Sequence, residues 1–128
     1  MKSTEPPSVV SLLAALDCAE THEDRLPLLA AILVEEGHDR HEDIVFELGL
    51  IGDPLAVPAI SSAVYVPFQS LVRWDNLQEF RRKCAYALAR IGTEGSREAL
   101  VEMSQHTDPR IQAYGEEGLS HWPLPLKR

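Results

Sequence analysis

Apolar positions in this chain recur at helical spacing, and the same recurrence is written twice. Ile44, Val45, Leu48 and Ile51 fall at i, i+1, i+4 and i+7, and forty residues later Cys84, Ala85, Leu88 and Ile91 repeat the set. That spacing places four side chains on one face of a helix. Beyond each set the offset continues through Ala59 with Ala99, Ile60 with Leu100 and Ala63 with Met103, so each copy reads as two helices sharing a buried side. The junctions follow from backbone chemistry. Gly52 and Gly92 suit the left-handed conformation that closes a helix, Asp53 or Thr93 suits the cap of the next one, and Pro54 suits a first helical position.

The rest of the chain supplies more helices. Residues 7–20 and 23–36 read as two amphipathic helices, and Thr21 with Asp24 and Asp39 with Glu42 have capping-box spacing. Asp108-Pro109 opens a helix in which Leu119 and Trp122 take the places of Leu88 and Ile91 at an offset of 31. Gly115 and Gly118 inside it permit close helix packing. No segment alternates as a strand does. The expected architecture is all-α: a short α-solenoid of antiparallel helix pairs with about seven helices. It is read as a single domain over residues 1–128, with an N-terminal helix pair at 7–36, a repeat at 41–64, an aromatic insertion at 65–75, a repeat at 76–105 and a capping helix at 108–122. The segment from Trp122 to Arg128 is expected to cover the open end of the last repeat.

Charge divides the chain unevenly. The net charge is -8, and residues 1–64 carry 12 acidic and 3 basic side chains against 8 and 9 in residues 65–128. An acidic half repels nucleic acid and favours a basic protein partner. Within it Glu35, Glu36 and Asp39 stand close together in sequence. The insertion concentrates Tyr65, Phe68 and Trp74 in a chain with 6% aromatic residues, with Asp75 beside them. These seven residues are the candidate partner contacts, because aromatic side chains dominate interaction hot spots. The competing reading has the aromatics filling a gap between repeats. The two cysteines, Cys18 and Cys84, lie on helical patterns as small core residues would in a reducing compartment, and no window is long and apolar enough for a membrane span. A cytoplasmic location is expected.

Residues 48–64, "LGLIGDPLAVPAISSAV", resemble the junction of the HEAT-like repeats named after phycobiliprotein lyases. Residues 84–103 are similar in their Ala-Leu-Ala-x-Ile-Gly portion, although Thr93-Glu94 replaces Asp-Pro. The resemblance implies a binding surface. It also raises a metal question, because the deoxyhypusine hydroxylases, built on HEAT-like repeats, hold two irons with His-Glu pairs, and "HED" occurs here at His22–Asp24 and His41–Asp43. The frame opposes it: the pairs are 19 residues apart, and the equivalents of His41 and Glu42 are Arg81 and Arg82. No metal, cofactor or catalytic residue is therefore expected. The basic run Arg81 to Lys83 reads as a solvated face paired with Glu79 or Asp75. The function expected is a non-enzymatic protein-protein interaction module, in the manner of bacterial immunity proteins that neutralise basic toxins. The alternatives are an enzyme-associated protein with lyase-like or His-Glu metal-dependent activity, and a scaffold subunit of a larger complex.

Overall fold

The computed structural model describes residues 8–124. Eight α-helices and one 3-10 turn occupy them: α1 (Val9–Cys18), α2 (His22–Leu33), α3 (His41–Ile51), the 3-10 turn Pro54–Ala56 running into α4 (Val57–Ala63), α5 (Gln69–Arg73), α6 (Leu77–Ile91), α7 (Glu94–Ser104) and α8 (Pro109–His121). No strand occurs among the described residues. The helix beyond the seven expected is α5, a single turn inside the aromatic insertion.

The forty-residue register holds in the packing. Ile44 with Cys84, Val45 with Ala85, Leu48 with Leu88, Ile60 with Leu100 and Ala63 with Met103 are all buried. Helix α3 packs on α6 and α6 on α8, while α2, α4 and α7 form the second row. This is a short solenoid with one contiguous core. The offset of 31 holds for Ile111, Gly115 and Gly118 of α8, buried as Phe80, Cys84 and Ala87 of α6 are, whereas Leu119 and Trp122 are half-buried where Leu88 and Ile91 are buried, and Trp122 lies just past the end of α8.

Gly52 and Gly92 close α3 and α6 with φ of 72° and 68°. Asp53 then accepts from the Leu55 amide and Thr93 from the Ser96 amide, the latter completed by Ser96 as a capping box. Thr21 caps α2 through the Asp24 amide and Asp108 caps α8 through the Arg110 amide. The Asp39 and Glu42 spacing is not used: α3 begins after Arg40, with no side-chain cap. Asn76 precedes α6 without a side-chain cap bond, and Asp75 before it has φ of 59°.

Arg25 fastens the N-terminal pair to the first repeat. Its guanidinium forms a two-pronged pair with Glu47 on α3, at 2.5 and 2.8 Å, and donates to the carbonyls of Leu16 and Ala19 at the end of α1. At the other end Trp122 donates to Ser96 Oγ at 3.2 Å and the Leu124 amide to Ala89 O at 2.9 Å, so the chain folds back over the α6–α7 turn. The expected start of the first helix at Pro7, and Pro125 to Arg128 of the expected cap, lie outside the described residues.

Candidate functional site

Helix α2 stops at Leu33, so Glu35 and Glu36 belong to the connection 34–40 rather than to a helix. The connection turns at Gly37, which has φ of 88°, and its ends are held by two histidines. His38 Nε2 donates to Ile32 O at 2.9 Å, which also accepts from the Glu35 amide at 3.0 Å, and His41 Nε2 donates to Glu35 O at 2.8 Å.

The insertion packs against this connection. Glu36 Oε1 accepts from the Gln69 amide at 3.1 Å, and Ser70 Oγ donates to His38 O at 3.0 Å. Between them lies a cleft of about 530 Å³ lined by Glu36, Asp39, Arg40, Arg73 and Trp74, with Leu13 of α1 at its edge. The structure thus brings Glu36, Asp39 and Trp74 of the expected contact set into one place. Trp74 is 68% exposed. Glu35 and Asp75 are exposed nearby in the sequence. Arg40 is drawn to Asp17 of α1 at 2.9 Å, an exposed pair that holds the Asp17 carboxyl below its usual range.

Phe68 and Tyr65 do different work. Phe68 is 0% exposed: it stacks on His41 at 3.9 Å and meets Phe80 edge-on at 6.0 Å, so it is a core residue and leaves the contact set. Tyr65 is half-buried and stacks on His106 at 5.2 Å; burial, then the Glu102 carboxylate, pushes its hydroxyl up to about 12. The insertion is therefore split, with Phe68 filling the core and Trp74 facing solvent.

The basic run is also redistributed. Arg81 is 7% exposed and donates to Val64 O at 3.0 Å, and the burial lowers its pKa. Arg82 pairs with Glu117 of α8, which also accepts from Tyr86, and Lys83 pairs with Glu42 of α3. None takes the expected partner, Glu79 or Asp75. A run adjacent in sequence points in three directions on a helix, so three separate neighbours hold it. Cys84 is buried, which pushes its thiol well above the usual range and makes it inert, whereas Cys18 is exposed on α1 and is not the core residue its pattern implied.

The two His-Glu pairs do not meet at a common site. His22 is exposed at the start of α2, while His41 is buried in the stack. Among the described residues no three His, Cys, Asp or Glu side chains group as metal ligands do. Burial, and secondarily the neighbouring His38 ring, lowers the His41 pKa from 6.5 to about 4. The unfolded chain therefore takes up a proton that the folded chain refuses. Stability is complete above pH 6.5 and declines as pH falls toward 4, with a loss of about 2 kcal/mol by pH 5. Urea denaturation at pH 7.5 and 5.0 measures it, and His41→Phe should remove most of the difference.

In the sequence His38, with His41 and Asp39 nearby, reads only as a surface zinc set that lacks a cysteine, and its part in holding the turn was missed. Its signal was present as a repeated short motif: His38 Nδ1 accepts from the Arg40 amide and His106 Nδ1 from the Asp108 amide, each two residues on and each just before a helix.

No described helix is long and apolar enough to cross a membrane. No curated protein and no solved structure matches the chain. A family model described as PBS lyase HEAT-like repeat matches residues 80–106, which span most of α6, the Gly92 turn and α7. Over that one repeat, about a fifth of the chain, the protein is similar to the PBS lyase HEAT-like repeats.

Proposed function

We propose that this chain is a non-enzymatic binding module that engages a basic protein through the cleft between the 34–40 connection and α5. The observation that carries the reading is Trp74, a large aromatic side chain left 68% exposed in a cleft that Glu36 and Asp39 also line. An indole beside carboxylates suits a lysine or arginine of a partner, which gains from the ring face and from the charge together. Stacked helical repeats present extended surfaces of the kind that bind partners, which supports a binding role. The finer reading is neutralisation of a basic toxin by an immunity-type protein within the cytoplasm. It draws its support from the acidic N-terminal half alone.

The test is capture with the tagged protein from a lysate of its source cell at low and high salt, with mass identification of what is retained. A stoichiometric basic protein released by salt is the expected result. Against that partner Trp74→Ala should weaken affinity at least tenfold, chiefly through faster dissociation. Glu35→Lys with Asp39→Lys should slow association and flatten its salt dependence, and it spares Glu36, which caps α5. Retention of no stoichiometric partner, or equal binding by all variants, would sink the reading.

A further inference from the structure

Phe46 and Leu50 stand one turn apart on α3 and are 55% and 47% exposed. Beside them α3 crosses α6 closely, since a Cβ added at Gly49 would lie 3.1 Å from Ala87 Cα and 3.2 Å from Ala87 Cβ. Residues this small leave the groove between the two helices unfilled, and a hollow of about 230 Å³ opens there to solvent. The buried Val45, Gly49 and Ala87 line it together with the exposed Phe46 and the half-buried Tyr86 and Arg90. Tyr86 is already fixed: its hydroxyl donates to Glu117 of α8, and the Arg82 guanidinium lies 5.3 Å from its ring centre. The hollow also reverses the charge of the chain. Arg82, Lys83 and Arg90 line it against one carboxylate, Glu79, in a protein of net charge -8. Arg82 pairs with Glu117 and Lys83 with Glu42, whereas Arg90 pairs with no carboxylate among the described residues. The Arg90 stem runs along the groove, with Cδ 3.5 Å from the place a Gly49 Cβ would take. A cation in the last turn of α6 suits the helix dipole, but the dipole gives no reason for an aromatic ring in solvent beside it.

We infer that this hollow is a second docking site, for a short acidic segment of another protein that sets one bulky apolar side chain against Phe46 and a carboxylate on Arg90. Its size and chemistry choose that occupant. The hollow is smaller than the roughly 300 Å³ at which pockets for drug-sized ligands begin, so it suits a single side chain. The apolar lining of Val45, Phe46 and Ala87 favours an apolar one. A guanidinium holds a carboxylate through two parallel hydrogen bonds, and Arg90 has both to give. A basic segment would meet three cations of its own sign, and a nucleic-acid backbone needs a row of uncompensated cations where this groove offers one. The hollow shares no lining residue with the cleft of Glu36, Asp39 and Trp74. The two sites prefer opposite charges, so one chain can hold two unlike partners and act as a joint between them.

The experiment pans a displayed library of random dodecapeptides on the full chain, then titrates the selected peptides, made synthetically, into isotope-labelled protein by NMR. One selected family should pair an apolar residue with aspartate or glutamate and shift the amides of Phe46, Gly49, Ala87 and Arg90, leaving Arg73 and Trp74 of the cleft in place. Phe46→Ala and Arg90→Glu should each weaken that family about tenfold. Both positions are at least half-exposed, and the same spectra show whether the variants are folded. Replacing the acidic residue of the peptide with lysine should restore binding to Arg90→Glu, a charge swap that a merely structural role for Arg90 does not produce. Selection of no acidic and apolar family overturns the proposal, as do shifts confined to another face or affinities that both variants leave unchanged. Light scattering adds one more outcome: self-association of the parent chain that Phe46→Ala abolishes would give the hollow to a second copy and overturn the acidic segment as its occupant. Failure of the basic-partner reading leaves these results untouched, since they depend on no residue of the cleft.

Discussion

Gly115→Ala should destabilise the protein by about 3 kcal/mol and lower its melting temperature by about 10 °C. A methyl group at this position would meet the Ser104 backbone nitrogen, with Met103 Cβ at 2.7 Å and Met103 C at 2.8 Å. Two of those three atoms are main chain, so no rotamer change relieves the contact, and α8 must move away from α7. Alanine is the better helix former by about 1 kcal/mol, which offsets only part of the cost. At Gly118 the nearest atom is Leu100 Cδ2 at 2.5 Å, the end of a side chain, and the same substitution should cost less. Urea denaturation of the two variants beside the parent decides the point. A Gly115→Ala protein as stable as the parent would mean that α7 and α8 do not cross as closely as described.

Phe68→Ala and Trp74→Ala should separate the two halves of the aromatic insertion. Phe68 is fully buried against His41 and Phe80, and its truncation leaves a cavity beneath the 34–40 connection, at a cost of about 3 to 5 kcal/mol. Trp74 is mostly exposed, so its truncation should change stability by no more than about 0.5 kcal/mol. Thermal and chemical unfolding measure both. Comparable losses in the two variants would show that Trp74 is a structural residue and would remove the observation on which the binding reading stands.

The forty-residue periodicity was legible because a helix face is a matter of spacing, and spacing survives in sequence. Five of the seven pairs between Ile44 with Cys84 and Ala63 with Met103 are buried on both sides, and Ile51 and Ala59 are half-buried where Ile91 and Ala99 are buried. The glycine closures were legible for a similar reason, since few residues tolerate positive φ. Helix α5 was not, because the five residues Gln69–Arg73 are too few to display a period. The fates of Phe68, Trp74, Arg81 and Cys18 were also hidden, because each depends on which neighbour the fold brings beside it. Aromaticity, charge or a helical pattern in the sequence carries no information about that. The cleft was half legible. Glu36, Asp39 and Trp74 were singled out separately, but only the hydrogen bonds from Gln69 and Ser70 make them one site.

Positions 41 and 81, forty residues apart, carry unlike side chains that play one and the same part. His41 reaches back to Glu35 O after α2, and Arg81 reaches back to Val64 O after α4. In both cases a unit sutures the end of the unit before it, so the acceptor and its donor belong to different copies. An array stitched in this way does not behave as interchangeable modules. Grafting one unit beside a foreign neighbour, or deleting one between Arg40 and Arg81, would leave a carbonyl without its donor or a buried guanidinium without its acceptor. The joints, more than the units, limit how such a chain lengthens by duplication.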